Sequence, residues 1–227
     1  MPPNQTKKVL VTGIGGNVGQ GILRNIRKFY GDKICVLGTD LSSTTAGQFF
    51  CDKTAQLPIY SAPHYIGDLK SVCEGEGVDL IIPSTDGEVV SIGKHADDLP
   101  IFVGSPTSTT AMCLDKFESF KRFHNAQLPF AYSCLPSAYD DRWNQFVVKP
   151  REGRGSRDIH YLTQWDNQFD DTFVIQEHLV GQEITIAFYR SRSGNILGPL
   201  TLERELHSGM TWKCSVTEKF SKQVDTL

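Results

Sequence analysis

The first forty residues restrict the fold more than any other stretch. Lys8-Val9-Leu10-Val11-Thr12 is a short apolar run that stops at Gly13, as a strand buried on both faces does. Beyond "GIGGNVG", Val18, Ile22, Ile26 and Phe29 recur at helical spacing, and Ile34-Cys35-Val36-Leu37-Gly38-Thr39 forms a second apolar run ending at Asp40. The period continues. Ile66, Leu69 and Val72 mark a second helix, "VDLIIP" (78–83) a strand stopped by proline, "DGEVVSIGKHADDL" (86–99) a third helix, and "IFVG" (101–104) another strand. Strands alternating with helices predict an α/β domain, a doubly wound parallel sheet ending near residue 110.

The loop after the first strand fits TGxxGxxG at Gly13, Gly16 and Gly19, and Asp40 stands where a ribose-binding acid would. Glycines there let a pyrophosphate approach a helix N-terminus. They equally serve any tight turn after a first strand. Short-chain dehydrogenases also need a Tyr-x-x-x-Lys pair for proton transfer. No tyrosine here has a lysine four residues on, which counts against an NAD(P)-dependent nucleotide-sugar oxidoreductase.

A chain of 227 residues suffices for one large domain or two modest ones. Its 23 Lys+Arg against 26 Asp+Glu give no global pull toward nucleic acid or an anionic membrane, so anion binding must come from local clusters. Cysteines 35, 51, 73, 113, 134 and 214 form no CxxC pair, and the expectation is reduced thiols in the cytoplasm. No apolar run reaches the length of a membrane span or a signal-peptide core.

The second half changes character. A helix is predicted from Ser108 to about Asn125. "PFAYSCLP", "QFVVKP", "DIHYLT", "TFVIQEHLV", "EITIAFYR" and "ILGPLTLERE" then read as strands, the last two joined by an "RSRSGN" hairpin turn. Within this α+β region, "VVKPREGRGSRDI" (147–159) sets a lysine, three arginines and two glycines between two strands. Such a stretch is either a solvated hairpin tip or a loop that closes over phosphates.

A parallel α/β domain followed in order by "LDKFESFKRF", "VVKPREGRGS" and "VIQEHLVGQEITI" resembles the ATP-grasp superfamily, most closely its carbamoyl-phosphate-synthase large-chain-like branch. The resemblance implies a pre-ATP-grasp Rossmann-like domain (1–110), an ATP-grasp small or lid subdomain (111–182) and the start of a large subdomain (183–227). It also implies use of ATP to activate a carboxylate as an acyl phosphate for attack by an amine or another nucleophile.

The same resemblance assigns nucleotide-binding roles. Lys149 matches the family's second nucleotide lysine, and Lys116 its first phosphate-contacting cation, although Lys116 also reads as a surface lysine on an amphipathic helix. Gly153, Gly155 and Ser156 offer backbone N–H groups, and Arg154 a guanidinium, for a lid over the β- and γ-phosphates. Asp158 stands where many relatives have glycine. Gln176, followed by Glu177, takes the place of an acid at the adenine edge, Leu179 covers the purine, and Glu183 accepts from the ribose hydroxyls. Arg204 is the candidate catalytic residue, stabilising charge on the transferred phosphoryl group, with His207 beside it; solvation at a strand edge explains Arg204 equally well. Asp40, Thr85, Asp86 and Glu88 stand at the C-terminal ends of predicted parallel strands and are candidates for a substrate pocket, while Asp86 and Glu88 also suit a helix N-terminus.

Members of that superfamily hold Mg²⁺ with late acidic residues, commonly Glu-x-Asn. No such pair occurs here, and after Glu205 the acids are Glu218 and Asp225, in a segment that reads as the opening of a helix. The expectation is an incomplete ATP-grasp domain, with no metal ligands of its own and the Mg²⁺ site in a further segment. The partners expected are ATP and a small carboxylate or amine, with either a homodimer or a complementing C-terminal chain, and neither nucleic acid nor membrane. A non-catalytic ATP-binding module is the alternative.

Overall fold

The computed structural model describes residues 6–153, 155–207 and 210–220. Strands β1 (Lys7–Thr12), β2 (Ile34–Asp40), β3 (Lys53–Gln56), β4 (Leu80–Ile82) and β5 (Ile101–Phe102) form one sheet in the order β3-β2-β1-β4-β5. Every neighbouring pair in it is parallel. Side chains alternate across such a sheet, and two cores follow. Val9, Val11 and Val36 pack with Leu23 and Ile26 of helix α1 (Asn17–Tyr30). Leu10, Leu37 and Ile81 pack with Tyr65, Leu69 and Cys73 of helix α2 (Tyr65–Glu76). This is the doubly wound arrangement expected from the apolar pattern.

Three local features depart from the expected pattern. The segment Lys-Thr-Ala-Gln that forms β3 is polar and lies at the sheet edge, so it carries no apolar signal. The helix expected from Ser108 to Asn125 is instead two, α4 (Thr107–Leu114) and α5 (Lys116–Asn125). Asp115 divides them: it leaves helical geometry at φ −90°, ψ 113°, and its Oδ1 accepts from the amides of Phe117 and Glu118 at 2.8 and 3.2 Å. An aspartate that satisfies the first amides of a new helix competes with the old one. Helix α3 (Asp86–Gly93) is shorter than its predicted span and is capped by Thr85.

The chain divides into two compact units, Met1–Ser119 and Phe120–Leu227, so the division falls inside α5 rather than near residue 110. In the second unit, β6 (Ser133–Cys134), β7 (Phe146–Pro150), β8 (His160–Leu162) and β9 (Phe173–Glu177) form an antiparallel sheet ordered β6-β9-β7-β8. Cys134, Phe146, Val148 and Ile175 form its buried face, packed under Tyr139, Trp143, Trp165 and Phe169. A further antiparallel sheet holds β10 (Ile184–Arg190), β11 (Ile196–His207) and β12 (Met210–Val216) in that order. The turn between β10 and β11 closes through Ser191, whose amide donates to Asn195 O at 2.8 Å. Strand β12 is not evident from the sequence. Residues 217–220 are not helical, and the rest of the segment read as a helix opening lies outside the described residues.

Candidate functional site

In the first unit the glycine loop is closed upon itself. Gly13 adopts φ +58°, and a Cβ on Gly19 would come within 2.4 Å of Gly13 O, so helix α1 rests directly on the loop backbone. Asp40 reaches back from the end of β2, and its Oδ2 accepts from Gly15 N at 2.7 Å and its Oδ1 from Ser42 N at 3.1 Å. An anion approaching Gly15 N–H would have to displace that carboxylate.

The sheet order reverses between β1 and β4, the crevice where such sheets bind ligands. Glu88 lies there. Its Oε2 accepts from Thr12 Oγ1 at 2.8 Å and Thr85 Oγ1 at 2.7 Å, and its Oε1 from the phenol of Tyr65 at 3.4 Å. Thr85 caps α3 by accepting from Glu88 N, while Ser84 N donates to Thr12 Oγ1 at 3.1 Å. Burial, and then the Glu88 carboxylate, push the Tyr65 phenol far above its ordinary value. Asp86 is exposed at the start of α3, and Asp40 lines a separate cavity of about 100 Å³ with Ser42, Thr45 and Gln56. The structure therefore unites Thr85 with Glu88 and leaves Asp40 and Asp86 outside their hydrogen-bonded group. Thr12 and Tyr65 were not anticipated; Thr85-x-x-Glu88, a capping-box spacing, was the available signal. Lys116 opens α5 directly after the Asp115 cap.

In the second unit, register places Ser133, Val147, Tyr161 and Gln176 side by side across the sheet, on the face opposite its aromatic core. Lys149 lies two residues after Val147, on the same face, and donates from Nζ to Gln176 Oε1 at 2.7 Å. Gln176 Nε2 in turn donates to Ser133 Oγ at 2.9 Å. Glu177 faces the other way, its Oε1 accepting from Tyr132 N at 2.7 Å. Lys149 and Gln176 are thus brought together, and Glu177 is engaged with the backbone. Ser133 was not foreseen.

The basic turn spans residues 151–159 between β7 and β8. Gly153, Gly155 and Ser156 are exposed there, with Ser156 and Asp158 in the left-handed region at φ 54° and 53°. Arg151 is held toward β9, its amide donating to Thr172 O at 2.9 Å and its Nη1 to Asp171 O at 3.3 Å. Arg154 lies outside the described residues. Leu179, 65% exposed, follows β9.

On the three-stranded sheet Glu183 forms an ion pair with Arg204, whose Nη1 also donates to Thr211 Oγ1 at 3.2 Å. Arg204 is opposite Cys214 in register, and both line a cavity of about 260 Å³ with Gln182, Glu203 and Lys213. His207 is three positions further along β11, and strand alternation sends it to the opposite face from Arg204. It lies near Trp212, ring centroids 6.4 Å apart. Among the described residues, no three His, Cys, Asp or Glu side chains gather to hold a metal ion.

No curated protein matches the sequence. Solved structures match its fold. An N5-carboxyaminoimidazole synthetase from Staphylococcus aureus, complexed with ADP, aligns with a TM-score of 0.73 at 14% identity, covering 97% of this chain and 60% of that one. An L-amino acid ligase from Bacillus licheniformis gives 0.73 at 13% identity, over 96% of this chain and 57% of that one. The biotin carboxylase domain of the Hydrogenobacter thermophilus 2-oxoglutarate carboxylase, with MgADP and bicarbonate, gives 0.65 at 13%, over 87% and 49%. The chain thus spans about three fifths or less of the length of these proteins. Residues 9–100 match the PylC-like N-terminal domain and residues 113–208 the ATP-grasp domain, and with both matches in that order the chain belongs to the ATP-grasp superfamily.

Proposed function

We propose that the chain carries the nucleotide-binding part of an ATP-dependent ligase of the carboxylate–amine or carbamoyl-phosphate-synthase-like type. The observation that carries this reading is the Lys149–Gln176 hydrogen bond on the open face of the lid sheet, directly ahead of the glycine-bearing turn. In this reading Lys149 meets the polyphosphate and Gln176 Oε1 accepts from the adenine amino group. Leu179 covers the ring, Glu183, oriented by Arg204, takes the ribose hydroxyls, and the amides of Gly153, Gly155 and Ser156 close over the terminal phosphates with Arg154. The γ-phosphoryl group passes to a substrate carboxylate oxygen, leaving ADP. An amine then attacks the acyl carbon and inorganic phosphate departs.

Lys116 adds a phosphate contact, Arg204 the charge that steadies the transferring group, and Thr85, Glu88, Asp86 and, from the end of β2, Asp40 shape the carboxylate or amine pocket. His207 serves from the hairpin end. Magnesium, when bound, would neutralise phosphate charge. A homodimer or a complementing chain in the cytoplasm completes the reading, and the six unpaired cysteines suit a reducing compartment. Calorimetry with MgATP tests it. Lys149→Ala should weaken binding about 10- to 100-fold, the loss of one hydrogen bond to a charged group, and hydrogen exchange should slow across residues 149–183. Unchanged affinity in the variant overturns the reading.

A further inference from the structure

Beside helix α2 a cleft of about 430 Å³ opens over the edge of the parallel sheet. Leu37, Thr39 and Ala55 form its floor, and Val72 and Gly75 of α2 its wall. Leu37 pairs in register with Lys53 and Thr39 with Ala55, so all four side chains share the face that α2 packs against. A Cβ on Gly75 would touch nothing within 4 Å, and the space beside it stays open. Thr39 is 1% exposed, yet its hydroxyl bonds to no described residue, and its oxygen is not among the atoms sealed from solvent. It therefore faces the cleft without the partner that a buried hydroxyl normally has. Two residues back along the paired strands, about 7 Å by strand rise, Lys53 Nζ donates to Glu76 Oε2 at 2.7 Å. These opposite charges satisfy each other, and no other ionisable side chain lines the cleft.

We propose that this cleft binds a small uncharged molecule with an apolar body of about one ring and a single hydroxyl or carbonyl group. The apolar body rests on Leu37, Ala55 and Val72. The polar group meets Thr39, whose hydroxyl can donate to a carbonyl or exchange hydrogen bonds with another hydroxyl. A charged ligand would have to draw Lys53 or Glu76 away from its partner. The volume suits such a molecule, lying toward the small end of the roughly 300–1,000 Å³ of small-molecule pockets. The cleft is on the β3 side of the sheet, whereas the group around Glu88 lies at the β1/β4 reversal, and it does not depend on the nucleotide reading. Sequence alone conceals it, because Lys-Thr-Ala-Gln carries no apolar signal and Thr39 reads as the end of a buried strand.

The test titrates the full nitrogen-15-labelled chain with benzyl alcohol and, separately, with benzoate, and follows the amide resonances. Benzyl alcohol should shift the amides of Leu37, Thr39, Ala55, Val72 and Gly75, with a dissociation constant on the order of 1–10 mM for so small a ligand. Benzoate should bind at least about tenfold more weakly, since its carboxylate meets no free cation there. Thr39→Val should weaken benzyl alcohol binding about 3- to 10-fold without lowering the melting temperature, because no hydrogen bond within the protein is lost. Gly75→Leu and Ala55→Leu fill the cleft from opposite sides and should abolish the shifts; either serves if the other does not fold. Shifts that persist in the filled variants, or that scatter over the chain, overturn the site. No shifts in the wild-type protein overturn it as well and leave the cleft to water. Benzoate binding as tightly as benzyl alcohol overturns the uncharged class of ligand, and an unchanged affinity in Thr39→Val overturns the part given to Thr39.

Discussion

The carboxylate of Asp40 lies 2.7 Å from the amide nitrogen of Gly15, and this single bond closes the first glycine loop onto the end of β2. With Ser42 N also donating to it, Asp40 acts as the buckle of the loop. Asp40→Ala should therefore lower the stability of the chain by about 1–2 kcal/mol, the loss of hydrogen bonds to a charged group at a half-exposed site. Chemical denaturation measures it. Asp40→Asn, which still offers one oxygen, should lose less. NADH should produce no fluorescence change with either protein, since the acid a ribose would need is already engaged.

The loop also shows where sequence and structure part company. Strands β1, β2 and β4 were legible because each is an apolar run bounded by glycine, aspartate or proline, and α1 because its apolar residues recur at helical spacing. Strand β3 was not, since an edge strand of Lys-Thr-Ala-Gln buries little. Asp115 lies in a periodic stretch, and only its spacing to Glu118 marks a new helix. The motif order singles out Lys149 and Gln176, which share a hydrogen bond, yet Ser133, which also bonds Gln176, is remote in sequence. Register across β6, β9 and β7 brings them together, and no local pattern records register.

Asp158, at φ 53°, already occupies the left-handed conformation that glycine adopts freely. A non-glycine residue there costs roughly 1 kcal/mol, aspartate being among the better tolerated. Asp158→Gly should thus keep the shape of the basic turn and change stability by less than about 1 kcal/mol. Asp158→Val, β-branched in a region such residues avoid, should destabilise by about 1–3 kcal/mol. Thermal melts of the two variants distinguish a preserved turn from a rebuilt one.

Burial pushes the thiols of Cys51, Cys73 and Cys134 up to about 11 from 9.0, whereas Cys113 and Cys214 are exposed. An aromatic disulfide at pH 8 should modify Cys113 and Cys214 rapidly and the three raised thiols only as the protein opens. The same shifts set an alkaline limit. Below pH 9 both folded and unfolded thiols are protonated and the contribution is complete. Between 9 and 11 the unfolded chain has released protons that the folded chain still binds, so stability falls as pH rises, by up to about 1.4 kcal/mol per pH unit for each thiol. Denaturant midpoints measured from pH 7 to 10.5 should drop above pH 9, and Cys73→Ala should flatten part of the slope at the cost of a small cavity.

The Glu183–Arg204 pair separates stability from ligand binding. Glu183 is 52% exposed at its side chain and Arg204 29%, and an ion pair that solvent screens to this extent contributes about 0–1 kcal/mol. Glu183→Gln and Arg204→Gln should accordingly shift the denaturation midpoint little. Their effect on MgATP affinity should be larger if the proposed site holds, because there Arg204 orients the carboxylate that takes the ribose hydroxyls. Removing either partner then disables the same contact, and the double variant should bind ATP about as weakly as the worse single one. Affinities from a double-mutant cycle give the coupling directly. Additive losses would mean that Glu183 and Arg204 touch the nucleotide independently, and no loss in any of the three variants would place this pair outside the nucleotide site.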